Sequence, residues 1–301
     1  MEGFKVRVMK TTSEKRLNHS ILPMRLYHKA KKFGIWDPRD IDFTQDQEDW
    51  KTLKDDEKEA ILRLCSMFQA GEEAVTLDLL PLIRVISLEG RLEEEMYLTT
   101  FLWEEAKHTE IFRRFLDEVT GEVRDLSIYH LENYRKIFYE FLPQAMERLV
   151  DDGSPEAQAE ASVTYNMVVE GILAETGYHA FYNSLQRQGK MPGMIQAVGY
   201  LKKDESRHLG YGSYLLQRLI SEHDHVWDVI NKRMEMLLPF AIGVVNELFN
   251  EIDPYPFGLD KEEFIHFAMK QFQVRMDVLE RARGKTLDEI YSVSEHDVGV
   301  I

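Results

Sequence analysis

One spacing of acidic residues and histidine occurs twice in this chain. In both copies a single glutamate is followed, 33 or 35 residues later, by the pattern Glu-x-x-His. The residues are Glu72 with Glu105 and His108 in the first copy, and Glu170 with Glu205 and His208 in the second. All six occur in apolar stretches with helical periodicity, where an unpaired charge is costly. Any fold of this chain must therefore bring partners to these side chains.

The repeated spacing predicts a metal site. Residues i and i+3 lie on one face of a helix, so the glutamate and histidine of each motif can share an ion. An antiparallel neighbour about 30 residues back brings the lone glutamate to the same level. Four carboxylates carry a charge of about −4, which two divalent cations balance, and oxygen-rich ligands with imidazole favour iron or manganese. This is the ligand pattern of ferritin-like dinuclear carboxylate proteins, so we predict two metals in a four-helix core.

The rest of the chain also has helical periodicity, and no stretch shows sustained alternation with a period of two. We expect an all-α, ferritin-like long helical bundle in one domain, 1–284, followed by a weakly ordered tail, 285–301. The Asp-rich stretch 37–50 is predicted to be a loop. The predicted helices are 22–34, 55–89 with a kink at Pro81, 91–119, 130–149, 154–187, 191–221, 224–251 and 260–284.

Charge and cysteine content exclude several classes of function. The formal net charge of −16 disfavours binding to nucleic acids or anionic membranes, which would repel the protein. The single cysteine, Cys65, excludes intramolecular disulfides and cysteine-based zinc or iron–sulfur sites. The first residues lack a signal-peptide core, and the apolar run 236–245 is too short to span a bilayer. We therefore expect a cytoplasmic protein without a transmembrane segment or a nucleic-acid partner.

Two other pairs of acidic residue and histidine are interpreted as structural. Glu263-x-x-His266 repeats the motif spacing, but no matching lone glutamate accompanies it, so we expect an exposed helix face. Glu175 and His179 could form a third metal pair, although a hydrogen-bonded pair or pocket lining is the preferred interpretation.

Acidic residues next to the motifs are expected to stay outside the ligand set. Asp204, directly before Glu205, could orient a ligating imidazole. Glu73, Glu104 and Glu110 point about 100° or more away from the neighbouring ligands, so we expect them at the surface or supporting a ligand.

Four segments of the chain, AGEEAVTLDLLP, LTTFLWEEAKH, TYNMVVEG and YLKKDESRH, carry these residues. They resemble the ribonucleotide reductase small-subunit superfamily, and more closely its ligand-binding oxidase branch, which has a mixed manganese/iron centre. The resemblance extends over about residues 20–285 in the order and spacing of the helices. It implies a homodimer that activates O2.

The resemblance divides the six side chains between two metals. It implies that Glu72, Glu105 and His108 hold manganese, that Glu170, Glu205 and His208 hold iron, and that Glu105 bridges them. Because iron and manganese share such ligands, a di-iron centre stays open as an alternative.

The resemblance also implies a covalent modification and a bound ligand. The modification is an ether bond between Cβ of Val75 and the phenol oxygen of Tyr165, made by the oxidised cofactor. The ligand is a long-chain fatty acid or another apolar molecule, held against the metals in a channel lined by apolar helix faces. Tyr178, eight residues after Glu170, is a candidate lining residue.

These expectations define an O2-dependent oxidase that attacks C–H bonds, with an undetermined external substrate. Radical-generating reductase subunits usually carry a tyrosine four residues after the first motif histidine, and the residue here is Phe112. Some manganese/iron subunits also lack this tyrosine, so a small subunit that passes a radical to a catalytic large subunit stays open. A desaturase with a ferredoxin partner also stays open. Storage proteins of the ferritin type are built from much shorter chains, so a length of 301 residues weighs against that function.

Overall fold

A computed structural model of the chain describes residues 16–250, 252 and 254–294. In those ranges all regular elements are helical, which confirms the all-α prediction. The α-helices are α1 (Leu22–Phe33), α2 (Thr44–Thr52), α3 (Asp55–Asp78), α4 (Leu80–Leu88), α5 (Leu92–Arg114), α6 (Glu132–Arg135), α7 (Leu142–Arg148), α8 (Pro155–Ser162), α9 (Glu175–Ser184), α10 (Pro192–Glu222), α11 (Val226–Leu248), α12 (Lys261–Glu280) and α13 (Leu287–Tyr291).

Three wider, π-helical segments extend or join these helices. Phe115–Thr120 continues α5, and Lys136–Phe141 joins α6 to α7. The longest, Val163–Ala174, has 12 residues and joins α8 to α9 into one continuous helix. It contains both Tyr165 and Glu170. Because π-helical turns are rare and often lie at functional sites, this segment draws attention to that part of the core.

The core is built from two packed pairs of long helices. Helix α3 packs against α5, and the segment Val163–Ala174 packs against α10. Helix α1 lies against both α5 and α10, while α11 and α12 cover the outside of the Val163–Ala174 segment. Each of the two core pairs thus unites one lone glutamate with one Glu-x-x-His motif, as the repeated spacing predicts.

Helix α3 ends where the sequence predicted a kink. Leu79 separates α3 from α4, and Pro81 occupies the first turn of α4. Proline has no N–H to donate and its ring clashes with the preceding turn, so a continuous helix is interrupted here.

The predicted loop 37–50 is partly wrong, because α2 begins within it at Thr44. Asp46 is fully buried and accepts hydrogen bonds from the backbone N–H groups of Gly193 and Met194, at 2.9 and 2.7 Å. Asp49 accepts one from Met191 at 2.7 Å. The acidic side chains of α2 therefore satisfy the free N–H groups at the start of α10, a long-range role that local propensity does not reveal.

The end of the described chain contains a short helix. Thr286 and Glu289 form a capping box at the start of α13, and Ile290 is buried. Residues 295–301 lie outside the described ranges, so the weakly ordered tail stays a prediction, as does the single-domain boundary at 284. No helix in the described ranges is long and apolar enough to cross a lipid bilayer.

Candidate metal centre

The fold gathers all six motif side chains at one level of the core. Helix α3 contributes one, α5 two, the Val163–Ala174 segment one and α10 two, and each of these residues is at most 5% exposed. Their potential ligand atoms form two groups, and the atoms within each group lie within 4.8 Å of one another. The groups are Glu72, Glu105, His108 and Glu205, and Glu105, Glu170, Glu205 and His208.

Glu105 and Glu205 belong to both groups. Glu105 places Oε2 3.7 Å from Nδ1 of His108 and Oε1 2.9 Å from Nδ1 of His208. Glu205 places Oε1 3.3 Å from His108 and Oε2 3.5 Å from His208, measured to the same nitrogen. Each carboxylate thus offers one oxygen to each half of the cluster. The sequence prediction named Glu105 as a bridge, and the geometry makes Glu205 its equal.

Glu72 and Glu170 lie at opposite ends of the cluster. Oε2 of Glu72 is 3.5 Å from Nδ1 of His108, and Oε1 of Glu170 is 3.7 Å from Nδ1 of His208. Two imidazoles, two terminal carboxylates and two shared carboxylates therefore make a nearly symmetric donor set.

Several of these potential metal-ligand atoms make no hydrogen bond although they are buried. They include both oxygens of Glu105, Oε1 of Glu170, Oε2 of Glu205, and Nδ1 of His108 and His208. A buried polar atom without a partner costs about 1–3 kcal/mol, so such a concentration needs a compensating group. Carboxylate oxygens and imidazole nitrogens are ligands of divalent transition metals, and these residues fit a pair of such ions.

The acid–base balance of the cluster reflects its burial. Burial raises the pKa of Glu72 to about 8 and that of Glu170 well above its usual value. Burial opposes ionisation of Glu105 as well, but the neighbouring His208 and His108 outweigh it and hold the pKa of Glu105 at about 2. Burial alone would lower the pKa of both imidazoles, yet the surrounding carboxylates raise each pKa well above its usual value. Protons thus balance much of the negative charge, and metal ions can replace them.

A hydrogen-bonded group fixes the orientation of His108. Its Nε2 lies 3.4 Å from Oδ2 of Asp204, which also accepts hydrogen bonds from Trp36 Nε1 at 2.8 Å and Lys107 Nζ at 3.2 Å. A carboxylate on Nε2 leaves Nδ1 as the nitrogen that faces the cluster. Asp204 was identified from the sequence, whereas Trp36 and Lys107 were not, since nothing in their local sequence distinguishes them.

Glu104 does the same for His208. Its Oε2 lies 3.0 Å from Nε2 of His208, and its Oε1 accepts a hydrogen bond from Arg207 at 2.5 Å. The same guanidinium pairs with Asp204. Each histidine is thus oriented by a carboxylate from the other helix. Asp204 of α10 holds His108 of α5, and Glu104 of α5 holds His208 of α10. The available signal was that an acidic residue directly precedes the glutamate in both motifs.

Val75 and Tyr165 meet next to the cluster. The phenol of Tyr165 donates a hydrogen bond of 3.2 Å to the backbone oxygen of Val75, and both residues are buried. Burial raises the pKa of Tyr165 well above its usual value, so the phenol keeps its proton. Phe101 packs edge-on against Tyr165 and stacks on His208, which ties this pair to the metal ligands.

An apolar pocket opens from the cluster toward the outer helices. The space between its atoms, together with its open mouth, amounts to about 700 Å³. Four glutamates stand at its inner end, and its walls are otherwise mainly aliphatic and aromatic. Its lining includes Glu72, Glu105, Glu170, Glu205, Phe68, Gly71, Val75, Val169, Leu173, Gly177 and Val244.

The expected lining role of Tyr178 is not observed. Its ring stacks at 5.1 Å on Phe68, which does line the pocket, so Tyr178 stands behind the wall. Phe112 is fully buried and also stacks on Phe68, at 4.8 Å. The Phe112 position therefore has no phenol that could store a radical.

The other acidic and histidine pairs are not part of the centre. His179 lies 3.3 Å from Glu263 at the surface, and Glu175 lies 3.6 Å from Lys202. Neither Glu175 with His179 nor Glu263 with His266 belongs to a group of potential ligands among the described residues. Cys65 is buried in the core, and its burial raises the thiol pKa.

The fold and this cluster define a class of protein: a ferritin-like helical bundle whose core carries a dinuclear carboxylate–imidazole centre. Comparison with known proteins agrees with this classification. The family model for the ribonucleotide reductase small chain matches residues 24–276. The chain therefore belongs to the ribonucleotide reductase small-chain family and, like its relatives there, is an oxidoreductase.

Solved structures of R2-like ligand-binding oxidases are similar to this chain over most of its length. One, a tyrosine-to-phenylalanine variant with an aerobically reconstituted Mn/Fe cofactor, is 40% identical with a TM-score of 0.81. Another, a valine-to-isoleucine variant with the same kind of cofactor, is 39% identical with a TM-score of 0.83. Both comparisons cover 91% of this chain and 96% of the relative.

Proposed function

We propose that this protein is an O2-dependent oxidase with a manganese/iron centre. Glu72, Glu105 and His108 would hold manganese, and Glu170, Glu205 and His208 would hold iron, with Glu105 and Glu205 shared. The observation that carries this proposal is the set of buried donor atoms without hydrogen bonds at the meeting point of four helices. The Mn/Fe cofactor of the related oxidases supports the choice of metals.

The metal pair, when bound, supplies the activation of O2 and the oxidation of a C–H bond, which protein side chains cannot perform. The chain supplies geometry and a dry environment. Asp204 and Glu104 keep Nδ1 of each imidazole directed into the cluster, and Arg207 pairs with both of these carboxylates and holds them in place. The mainly apolar lining of the pocket disfavours water on the side where a C–H bond can approach.

Delivery of a radical to a catalytic large subunit is less well supported. Phe112, which stands where radical-generating subunits usually have tyrosine, offers no oxidisable phenol in the buried core. No observation on this chain favours a desaturase.

Metal binding is expected to strengthen as pH rises. Glu72, with a pKa of about 8, holds a proton at neutral pH in the metal-free protein, and the raised pKa values of Glu170, His108 and His208 act in the same direction. A divalent ion must displace these protons, so affinity increases as pH is raised through 8. Calorimetric titration with Mn(II), repeated in buffers of different ionisation enthalpy, should show protons released at neutral pH. Binding without proton release would contradict the protonated cluster.

We also propose an ether cross-link from Cβ of Val75 to the phenol oxygen of Tyr165. The hydrogen bond from Tyr165 to the Val75 backbone holds the two residues together beside the centre. Among the related oxidases, the substituted valine and tyrosine are 90 positions apart, as Val75 and Tyr165 are here. The reaction breaks one C–H and one O–H bond, forms one C–O bond, and passes two electrons and two protons to O2.

The cross-link is tested by mass spectrometry. Metal-free protein is loaded with Mn(II) and Fe(II), exposed to O2 and digested. We expect the peptides that contain Val75 and Tyr165 to be joined, with a mass lower by two hydrogens than their sum. Tyr165→Phe should leave the peptides separate, whereas Tyr178→Phe, which removes another buried phenol, should not prevent the bond. Separate peptides in wild-type protein with full metal occupancy would contradict the proposal.

The apolar pocket is proposed to hold a long-chain fatty acid or a similar molecule. Its walls suit an alkyl chain, and its inner end presents four carboxylates. Those carboxylates would repel an acidic head group unless cations lie between them, so the head group is expected to bind only next to bound metals. The external substrate is proposed to be an apolar molecule that enters by the same route.

Blocking the pocket should remove the ligand without removing the metals. An added Cβ at Gly71 lies 3.3 Å from the ring of Phe138, so Gly71→Ala requires this ring to move by a few tenths of an ångström. The much larger ring in Gly71→Phe must occupy the pocket, which Gly71 lines. We expect Gly71→Phe to abolish co-purification of a fatty acid, measured by mass spectrometry of an organic extract, and Gly71→Ala to retain it. Equal ligand content in both variants would show that the ligand binds elsewhere. A related oxidase carrying a glycine-to-phenylalanine change has been reconstituted with an Mn/Fe cofactor.

A homodimer in the cytoplasm is the remaining part of the proposal. Four leucines around the α3–α5 hairpin are more than half exposed, and a second copy of the chain could cover them. They are Leu77, Leu80, Leu88 and Leu92.

A further inference from the structure

The two terminal glutamates of the cluster have different surroundings. Glu170 accepts a hydrogen bond of 3.0 Å from the side-chain amide of Asn166 through Oε2. Its other oxygen, Oε1, makes no hydrogen bond and faces His208 at 3.7 Å. Among the described residues, no amide or hydroxyl group donates to the carboxylate of Glu72, whose contact in the cluster is His108 at 3.5 Å. The set of six metal-binding side chains is nearly symmetric, but of its two terminal glutamates only Glu170 is held by a neighbouring amide.

Asn166 is itself held in a single orientation. Ser162 donates a hydrogen bond of 2.8 Å to Oδ1 of Asn166, and all three residues of the Ser162–Asn166–Glu170 series are at most 3% exposed. An ionised Glu170, the form that binds a metal, only accepts hydrogen bonds, so the amide nitrogen faces Glu170 and the amide oxygen faces Ser162.

The neighbouring helix also confines Asn166. Gly212 of α10 lies four residues after His208, and a Cβ at Gly212 would collide with the side chain of Asn166. The absence of a side chain at Gly212 therefore creates the space that Asn166 fills. Asn166 itself lies in the π-helical segment Val163–Ala174 that carries Glu170. The backbone of this segment, the side-chain amide of Asn166 and the carboxylate of Glu170 are therefore fixed relative to one another.

We propose that Asn166 is a positioning residue that makes the two metal positions inequivalent. By holding Oε2, it restricts Glu170 to presenting Oε1 as a single ligand atom, whereas Glu72 is free to offer one oxygen or both. At the metal position next to His208, the orientation of the terminal glutamate, Glu170, is thus fixed before metal binds. At the position next to His108, the terminal glutamate, Glu72, can change its orientation when metal binds. This inference rests on the proposed function, because it requires that the cluster binds two metals.

The test measures metal binding at each position separately. Metal-free wild-type protein and the variants Asn166→Leu and Asn166→Asp are titrated with Mn(II) without oxygen, and free Mn(II) is followed by electron paramagnetic resonance. Anomalous X-ray scattering from loaded crystals then assigns the occupancy of each position. We expect Asn166→Leu to weaken binding next to Glu170 by about 10–100-fold, the usual effect of losing a group that supports a ligand, and to leave the Glu72 position within about threefold of wild type. Asn166→Asp, which places a second carboxylate against Glu170, should change its orientation and occupancy as well.

Two further variants control for packing effects. Ser162→Ala keeps the amide but removes its support, so a smaller loss at the same position is expected, and this variant serves if Asn166→Leu does not fold. Asn246→Leu removes an amide that donates to the backbone oxygen of Ile242, away from the cluster, and should not change either position.

The possible outcomes test the proposed function and the role of Asn166 separately. Wild-type protein that binds no metal would overturn the proposed function. Wild-type protein that binds two ions, with Asn166→Leu folded and binding both with unchanged constants, would overturn only the role of Asn166. Equal weakening at both positions would also overturn it, because a general packing defect does not distinguish them.

Discussion

Replacement of Glu105 by alanine should leave the protein unable to retain a pair of metal ions. Glu105 directs one oxygen to each imidazole and belongs to both ligand groups, so its loss weakens both positions at once. Removing a residue that only supports a ligand usually costs 10–100-fold in affinity, and we expect loss of this shared ligand to exceed about 100-fold. After loading and gel filtration, elemental analysis should find two metals per wild-type chain and no retained pair in Glu105→Ala. The variant should also form no bond between Val75 and Tyr165.

The chain provides a matched control for this experiment. Glu263 begins the third Glu-x-x-His pattern, but its side chain is 48% exposed and pairs with His179. Glu263→Ala should therefore retain both metals. Glu105 lies 2.9 Å from Nδ1 of His208, so the folding of the metal-free Glu105→Ala protein is verified by circular dichroism before metal is added. Two retained metals in Glu105→Ala would contradict the assignment of this cluster as the metal site.

Replacement of Arg207 by methionine should cause the largest loss of stability among single substitutions around the centre. Arg207 pairs with Glu104 at 2.5 Å and with Asp204, and both carboxylates are fully buried. Removing one partner of a buried ionic group costs about 3–5 kcal/mol, because the remaining charge stays in a medium of low dielectric constant. The free energy of unfolding, measured with guanidinium chloride on metal-free protein, should fall by about this amount. Metal-free protein is required because bound ions would add their own stabilisation.

Surface arginines provide the comparison. Arg148 pairs with Asp152 and Glu160 while about 40% of its side chain is exposed, so Arg148→Met should cost at most about 1 kcal/mol. The double variant Arg207→Met with Glu104→Gln removes one of the unpaired charges and should recover part of the lost stability. A loss in Arg207→Met no greater than in Arg148→Met would show that this buried group does not depend on its guanidinium.

The local sequence predicts the inner part of the site better than its surroundings. Glu105 and His108 share a helix face because they are three residues apart, and the second copy of the pattern indicates which helices must meet. The supports depend on contacts between distant segments, such as Trp36 with Asp204, 168 residues apart, and Glu104 with His208, 104 residues apart. Helical periodicity carries no information about these pairs, since it describes only the faces of one helix at a time.

The same limit explains the main error in the fold. Helix α2 is polar and short, and its own residues do not indicate that it is stable as a helix. It forms where Asp46 and Asp49 can accept hydrogen bonds from the start of α10, about 145 residues away in the chain. Asn166 was likewise overlooked, because its significance depends on the space left by Gly212 in another helix.

The exchanged supports of the two histidines limit how this protein can be divided. A fragment that ended before α8 would keep Glu72, Glu105 and His108 but would have no acidic group against Nε2 of His108. The complementary fragment would lack the carboxylate that steadies His208. Although the ligand spacing occurs twice in the sequence, neither part of the chain contains both a histidine ligand and the carboxylate that orients it. The two parts must therefore be present together for either histidine to be oriented toward the metals.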